Sequence, residues 1–525
     1  MQLPMSEKIS HWCSNNQILQ HFLHLMYPSP MPRLSDEKFA DLEMNILKRA
    51  VTVAETKRDI GILKSPDVRR IIHIVEMFLK NEKLVCYGGT AINNILPKKD
   101  QFYDMTREFP DYDFYSLNAM ADAKRLADIY YKAGFIDVEA KSGVHHGTYK
   151  VFVNFMPVAD ITQMVPELFN TIYRDSINVK GIRYAPPNLL RMGMYLELSR
   201  PDGDISRWEK VLTRISLLNK HFPLKGDRCS GIDFQRRFED PDRDTGDIYH
   251  ILRGAFISNK CVFFGGFATA VYSRYMKRKG VRDMFREPDF DVISTDPHEV
   301  ASKTVKMLKS RGYAADTKIH AAAGEIIPEH IEVMVGGESV AFIYHPMACH
   351  NYNVITVQGQ NVRIATIDTI LSIYLAFVYA DRSYYDMRRL ICIAEYLFEV
   401  QKHNRLSQKG VLRRFSLECY GKQETLDDFR ANKAKMFEKL KKKRNTKEWD
   451  EWFLRYLPGG KSGDVGEVGT TARTSKSRPT KPANRTKKTN RRKSSAKKTD
   501  HKSSPGKTRK RSVSTNKKSI RKHRK

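Results

Sequence analysis

Cysteine is scarce in this chain of 525 residues: seven, at positions 13, 86, 229, 261, 349, 392 and 419, and never spaced as Cys-x-x-Cys. An odd, scattered set shows neither a zinc knuckle nor a disulfide framework, so the expectation is a soluble protein of a reducing compartment. Long apolar runs are missing too. The longest, "ILSIYLAFVYA" at 370–380, is about half of what a membrane span needs. The N-terminal "MQLPMSEKISHW" shows no secretory apolar core. From Lys461 to Lys525 there is no Phe, Tyr or Trp, and Val465, Val468, Val513 and Ile520 are the only large aliphatics. Such a segment cannot bury enough apolar surface to offset its ordering entropy, and is expected to be disordered.

What that segment does contain is positive charge. It holds 24 Lys/Arg against three acids, a net of +21 within a chain total of +31. The first 460 residues are therefore only mildly basic, and hydrophobic residues make up 41% of the whole chain, enough for two or three cored domains. Dense Lys/Arg releases phosphate counterions without needing a fold, so nucleic-acid contact is the favoured reading of the tail, against a nuclear address or a merely solubilising tail.

The body repeats itself. "SPDVRRIIHIVEMFLKNEK" predicts a helix with Ser65 as N-cap and Pro66 first, followed by a strand "KLVCY", Gly88-Gly89 and a helix over 90–95. Later, "DIYHILRGAFISN", "KCVFF" and Gly265-Gly266 follow in the same order. "FPDYDF" comes 23 residues after Gly88 and "EPDFDV" 24 after Gly265, counted to the first aspartate; both second aspartates precede a glycine by 21. "MYLEL" at 194–198 answers "IYLAF" at 373–377, and the offset stays between 177 and 179. Two copies are too few for a solenoid and predict a two-lobed body.

The first copy carries a coherent chemistry. A strand running through Gly-Gly into a helix presents backbone N–H groups to a phosphate. Asp111 and Asp113 alternate on a strand and share a face, where two carboxylates repel unless a cation lies between them. "TYKVFVNF" alternates from Tyr149 to Phe155 as a half-buried strand. "PVADIT" then sets Asp160 in apolar surroundings, costly unless paired or ligating. Three carboxylates beside a phosphate turn make a candidate two-metal site for phosphoryl transfer.

With those residues in view, "YGGTAINN", "FPDYDF" and "VADI" resemble the motifs of the DNA polymerase β-like nucleotidyltransferase superfamily. "MYLELSRPDGDISRWEKVLTR" further resembles the poly(A) polymerase catalytic subunits of nucleocytoplasmic large DNA viruses, and the likeness covers about residues 60–400. The Gly-Gly to Asp spacing is longer than usual, implying an inserted loop around "PKKDQFYDMTREF". The resemblance implies an α+β fold of two tandem nucleotidyltransferase-like lobes, each a mixed sheet flanked by helices with a helical extension. It implies RNA adenylyltransfer from ATP to an RNA 3′ end with two Mg²⁺ or Mn²⁺ ions. Asp111 and Asp113 would bind both ions, and Asp160 the one nearer the primer hydroxyl. Gly88, Gly89 and Thr90 would hold the triphosphate, with Tyr195, Arg207 and Lys210 as candidate nucleotide contacts against packing or surface roles. A homodimer and a viral product of the host cytoplasm or virion are implied too. The rival readings are a terminal nucleotidyltransferase of other specificity, a non-catalytic RNA-binding scaffold, and a condensing protein acting through its tail.

The second copy keeps Gly265, Gly266, Asp289 and Asp291, but Phe267 replaces Thr90 and Ala270 replaces Asn93. Opposite Asp160, an ungapped offset places Glu338; matching "VADI" to "VAFI" places Phe342, the alignment favoured if "VGGES" is a hairpin turn. Either way a structural lobe is expected. "DPDRDTGD" from Asp240 departs from a calcium loop in its glycine and at Ile251 and reads as a linker. His145-His146 lie in a loop, with metal binding the minor alternative. The expected layout is an N-terminal helical segment (1–60), the catalytic lobe (61–225), a linker (226–245), the second lobe (246–400), a helical segment (401–458) and the tail (459–525).

Overall fold

The computed structural model describes residues 36–63, 65–103, 109–236, 245–276 and 289–460. The basic tail, the first 35 residues and most of the acidic linker motif lie outside them. In chain order the elements are α1 Asp36–Leu63, α2 Pro66–Asn81, β1 Val85–Tyr87, α3 Gly88–Ile95, β2 Tyr112–Ser116, α4 Ala119–Lys132, β3 Val138–Ser142, β4 Thr148–Val153, β5 Met156–Gln163, α5 Pro166–Arg174, β6 Ile177–Val179, β7 Ile182–Tyr184, α6 Pro187–Leu198 and α7 Trp208–His221. The second half follows as α8 Thr245–Ser258, β8 Val262–Phe263, α9 Gly266–Tyr272, β9 Phe290–Ile293, α10 Pro297–Ser310, β10 Ala315–His320, β11 His330–Val335, β12 Glu338–Tyr344, β13 His350–Val357, β14 Gln360–Ala365, α11 Ile367–Phe377 and α12 Met387–His403. Last come β15 Cys419–Tyr420, α13 Leu426–Leu440, α14 Lys447–Phe453 and β16 Arg455–Tyr456.

The strands form two mixed sheets with the same plan. One runs β16-β3-β4-β5-β2-β1-β7-β6 and the other β10-β11-β12-β9-β8-β14-β13-β15. Without β16 and β15, the two orders correspond strand for strand in sequence order. The senses correspond as well: β2 and β5 are parallel, as are β9 and β12; β1 and β2 are antiparallel, as are β8 and β9. Each lobe thus builds its sheet from a strand–helix–strand start and a following meander. Alternation of buried and half-exposed residues along β2 and β4 gives the first sheet one packed face, whereas β9 is buried throughout.

α2 begins at Pro66 after Ser65 and buries Val68, Ile71, Val75, Phe78 and Leu79, the stripe that its spacing predicts. Phe155 departs from the expected strand. It sits with Asn154 in the two-residue β4–β5 turn, both at positive φ, and is exposed. "VGGES" is the β11–β12 turn, with Gly336 and Gly337 at φ 60° and 85°.

The lobes share one hydrophobic core, and α6 packs against α11, the two helices carrying the repeated "MYLEL" and "IYLAF". The segment after α12 is not simply helical. β16 extends the first sheet at β3 and β15 the second at β13, so its ends are held by both lobes. α12 also runs to His403, past the expected lobe boundary at 400.

The cysteines correct the sequence reading. Cys229 is bonded to Cys392 and Cys349 to Cys419, across 163 and 70 residues of chain. No local spacing marks such pairs; packing of residue 229 on α12 and of β15 on β13 brings them together.

Candidate active site

The first sheet delivers the three aspartates at its centre. Asp113 lies on β2, and parallel pairing with β5 puts it directly opposite Asp160. Asp111, two residues earlier on the same face, stands exposed at the mouth of the strand. Burial, then Asp111 and Asp160, push the Asp113 carboxyl up to about 8, against the lowering pull of Lys150 and Arg207. Desolvation of its carboxylate, then Asp160, also raises Asp111, with Lys150 and Lys210 opposing. Lys150, across the β4–β5 ladder, sets its ammonium against the Asp160 carboxylate. A hard, all-oxygen donor set whose charges are held up by one another fits a divalent cation. The three oxygen sets are not drawn into a tight cage. Among the described residues the one group of such ligands within 4.8 Å is Asp202, Cys349 and Cys419, and there the two sulfurs are already joined.

Beside the carboxylates lies the glycine turn. Gly88 has φ +70°, and a side-chain carbon on it would run into the Asp113 carboxylate; only glycine joins β1 to α3 here. Thr90 is buried and donates its hydroxyl to the Asp111 carbonyl at 2.5 Å, tying the turn to the strand. The amides of Gly88, Gly89 and Thr90 find no acceptor in the surrounding turns and loops of the described residues. They open the N-terminus of an eight-residue helix, where an anion is favoured.

The helical side meets the site through α7. Arg207, just before it, acts on Asp113 while pairing with Glu197 at 3.0 Å; Lys210 acts on Asp111. Tyr195 does not reach the site. It is 1% exposed, on the face of α6 near Asp368 and Arg414, and Tyr374 on α11 is buried likewise. It is a packing residue because its helix is the seam between lobes. Arg214, the last residue of "MYLELSRPDGDISRWEKVLTR", was not among the sequence candidates, yet it is buried beside this face. The signal was there: 207, 210 and 214 fall at helical intervals of three and four on one face.

His145 and His146 pack edge-on against Phe429 and tilted against Trp452, at ring centroids of 4.6 and 4.3 Å. They dock the C-terminal helices on the first lobe. A cavity of about 60 Å³ between α6, α11 and the 325–350 stretch is lined by none of the three aspartates.

In the second lobe the corresponding place is filled. The β9–β12 register sets Asp291 opposite Phe342, as Asp113 lies opposite Asp160, so Phe342 occupies the third carboxylate's position and Glu338 does not. Arg236 reaches in from the linker, its Nε 2.9 Å from Asp289 Oδ2 and its Nη2 2.9 Å from Asp291 Oδ1. Its guanidinium lies 4.6 Å from the Phe342 ring centroid. The turn amides are used internally: Gly265 donates to the Asp291 carbonyl and Phe267 to that of Asp289. A guanidinium supplies the positive charge, and the anion cradle is closed by the strand itself.

Comparison with known proteins bears on the first lobe. Residues 73–204, which span β1 to α6 with all three aspartates, match the family profile described as poly(A) polymerase catalytic subunit. An African swine fever virus protein (strain Badajoz 1971 Vero-adapted) named "Putative poly(A) polymerase catalytic subunit" is 33% identical over 164 residues, 30% of this chain and 34% of that protein. A protein of the same name from Acanthamoeba polyphaga mimivirus is 32% identical over 178 residues, 33% of this chain and 29% of its own length. The chain thus matches about a third of the length of these curated relatives. In fold, the crystal structure of the Megavirus polyadenylate synthase superposes with a TM-score of 0.64 at 21% identity, covering 82% of this chain and 88% of that one. The part of the chain that holds the glycine turn and the three aspartates is similar in sequence to poly(A) polymerase catalytic subunits, and the two-lobed α+β fold is similar to that of the Megavirus polyadenylate synthase.

Proposed function

We propose that the chain is a template-independent RNA adenylyltransferase whose working site is in the first lobe. The observation that carries this reading is the β2–β5 register, which sets Asp113 and Asp160 side by side with Asp111 on the same face, next to the Gly88-Gly89-Thr90 turn. The RNA 3′ oxygen attacks the α-phosphorus of ATP, the bond to the β-phosphate oxygen breaks, pyrophosphate leaves, and the hydroxyl proton passes to solvent. Asp111, Asp113 and Asp160 would hold two Mg²⁺ or Mn²⁺ ions, which when bound lower the pKa of the attacking hydroxyl and neutralise the leaving pyrophosphate. Arg207 and Lys210 add positive potential on the helical side.

In this reading the two lobes descend from one duplicated unit, and the second is a scaffold. The segment after α12 straps the lobes, and the basic tail holds RNA by counterion release. A homodimer working in the host cytoplasm belongs to the same proposal. The test is extension of a short labelled RNA with each NTP in turn, with Mg²⁺ or Mn²⁺. An ATP-only ladder, lost in Asp111→Ala/Asp113→Ala and kept in Asp289→Asn/Asp291→Asn, is the expected result. A ladder with another nucleotide would redirect the specificity. No extension with RNA binding intact would leave an RNA-binding scaffold.

A further inference from the structure

Of the three cations on the α7 stripe, Arg214 is placed differently. Arg207 pairs with Glu197, and Lys210 stands by Asp111. Arg214 is 8% exposed, and among the described residues no carboxylate pairs with it. Its Nη2 donates to the Tyr103 hydroxyl at 2.6 Å, and the guanidinium lies 4.7 and 5.2 Å from the ring centroids of Phe102 and Tyr103. Those two rings are themselves fixed, because Asn93 Oδ1 accepts from both of their backbone amides at 2.8 Å. Arg214 Nη1 comes within 3.0 Å of where a side-chain carbon on Gly89 would stand.

A neutral hydroxyl and two ring faces orient a guanidinium without neutralising it, and a buried cation left so is costly. An approaching anion is the group that would neutralise it. What lies beside the guanidinium is the Gly88-Gly89-Thr90 turn at the N-terminus of α3, where an anion is favoured. A planar fork of donors suits phosphate oxygens better than an ammonium does. The second lobe differs: the Phe267 amide donates to the Asp289 carbonyl, whereas the Asp111 carbonyl takes the Thr90 hydroxyl, and Asn93, which clamps the Phe102–Tyr103 segment, is answered by Ala270.

We propose that Arg214 grips the distal phosphates of the incoming nucleoside triphosphate, completing the Gly88-Gly89-Thr90 cradle, with Phe102, Tyr103 and Asn93 as the frame that aims it. This rests on the nucleotidyl-transfer reading above. Arg214 reads the triphosphate tail and not the base, so its contribution is the same for every NTP and absent for a monophosphate.

The experiment is calorimetric binding of ATP, AMP and inorganic tripolyphosphate, with Mg²⁺, to the full-length chain and to Arg214→Ala and Arg214→Lys, each checked for an unchanged melting transition. Arg214→Ala is expected to weaken ATP and tripolyphosphate by roughly tenfold or more and leave AMP within about twofold, the scale of one lost charge-assisted contact. Arg214→Lys should recover part of the loss, and KM for ATP should rise more than kcat falls. A folded Arg214→Ala that binds tripolyphosphate like the parent, or that loses AMP equally, overturns the assignment. If Arg214→Ala does not fold, Arg214→Lys decides alone, and parental affinity there overturns it too. A parent chain that binds no triphosphate at all would instead sink the nucleotidyl-transfer reading. Tailing by the parent with Arg214→Ala unchanged would sink only the role of this arginine.

Discussion

Replacing Arg236 by alanine should unlock the second lobe. Asp289 and Asp291 sit at its centre, side chains 11% and 10% exposed, with the Arg236 guanidinium, itself 18% exposed, between them. Removing one partner of such a cluster strands buried charge and costs about 3–5 kcal/mol. The loss depends on pH. Burial raises the Asp289 carboxyl to about 6 even with Arg236 pulling it down; without that pull it rises further. A carboxyl held above its unfolded value of about 3.9 favours the folded state at low pH, and that favour is lost as pH rises through the folded value. The deficit of Arg236→Ala relative to the parent should therefore be smaller at pH 5 than at pH 8. Urea unfolding of the full-length chain at several pH values, with amide exchange over 289–293 to localise the effect, measures this. A deficit below about 1 kcal/mol at pH 8, or one equal at pH 5 and pH 8, would refute the idea that Arg236 balances the aspartates. Adding Asp289→Asn and Asp291→Asn should restore stability at pH 8, since the repulsion goes with the charge.

Gly88→Ala should abolish extension by displacing Asp113, at a stability cost of about 1–2 kcal/mol for a left-handed residue; primer extension beside a melting curve separates the two. Asp368 on α11 is fully buried and takes a two-bond pair from Arg414 at 2.7 and 2.9 Å. Asp368→Asn should cost about 3–5 kcal/mol in urea unfolding while leaving KM for ATP unchanged. Tyr195→Phe should alter KM for ATP by less than about twofold, since its ring packs in the seam between lobes and the hydroxyl faces no substrate; a tenfold rise would return Tyr195 to the nucleotide site.

Much of this architecture was readable because it is periodic. The stripe of α2, the alternation through Asp111 and Asp113, and the constant offset between copies all encode local geometry, and strand pairing then had few ways to satisfy them. What escaped was carried by long-range packing. Tyr195 sits at helical spacing on a helix that could have faced either way, and only the presence of α11 decides that it faces inward. Phe155 continued an alternation that the chain broke to turn. The disulfide partners lie too far apart in sequence for spacing to speak. Arg214 was hidden among many basic residues until burial separated it from the solvated ones.

If the second lobe is a retired copy of the first, as proposed, its catalytic site was lost without dismantling its frame. Keeping Gly265, Gly266, Asp289 and Asp291 preserves the strand-to-helix turn and its close approach to the carboxylates; a side-chain carbon on Gly266 would meet the Asp289 carboxylate. These residues therefore persist for backbone reasons even where no ion is needed. The carboxylates that remain still require positive charge, and Arg236 supplies it from within the chain. Phe342, in the place of the third ligand, then gives the guanidinium a ring face instead of another charge. In the first lobe Lys150 neutralises only one carboxylate from the rim of the sheet, which leaves the other two raised. On the proposed reading, the difference between the working and the structural lobe is a difference in who provides the cation: the chain itself in the second, the solvent in the first.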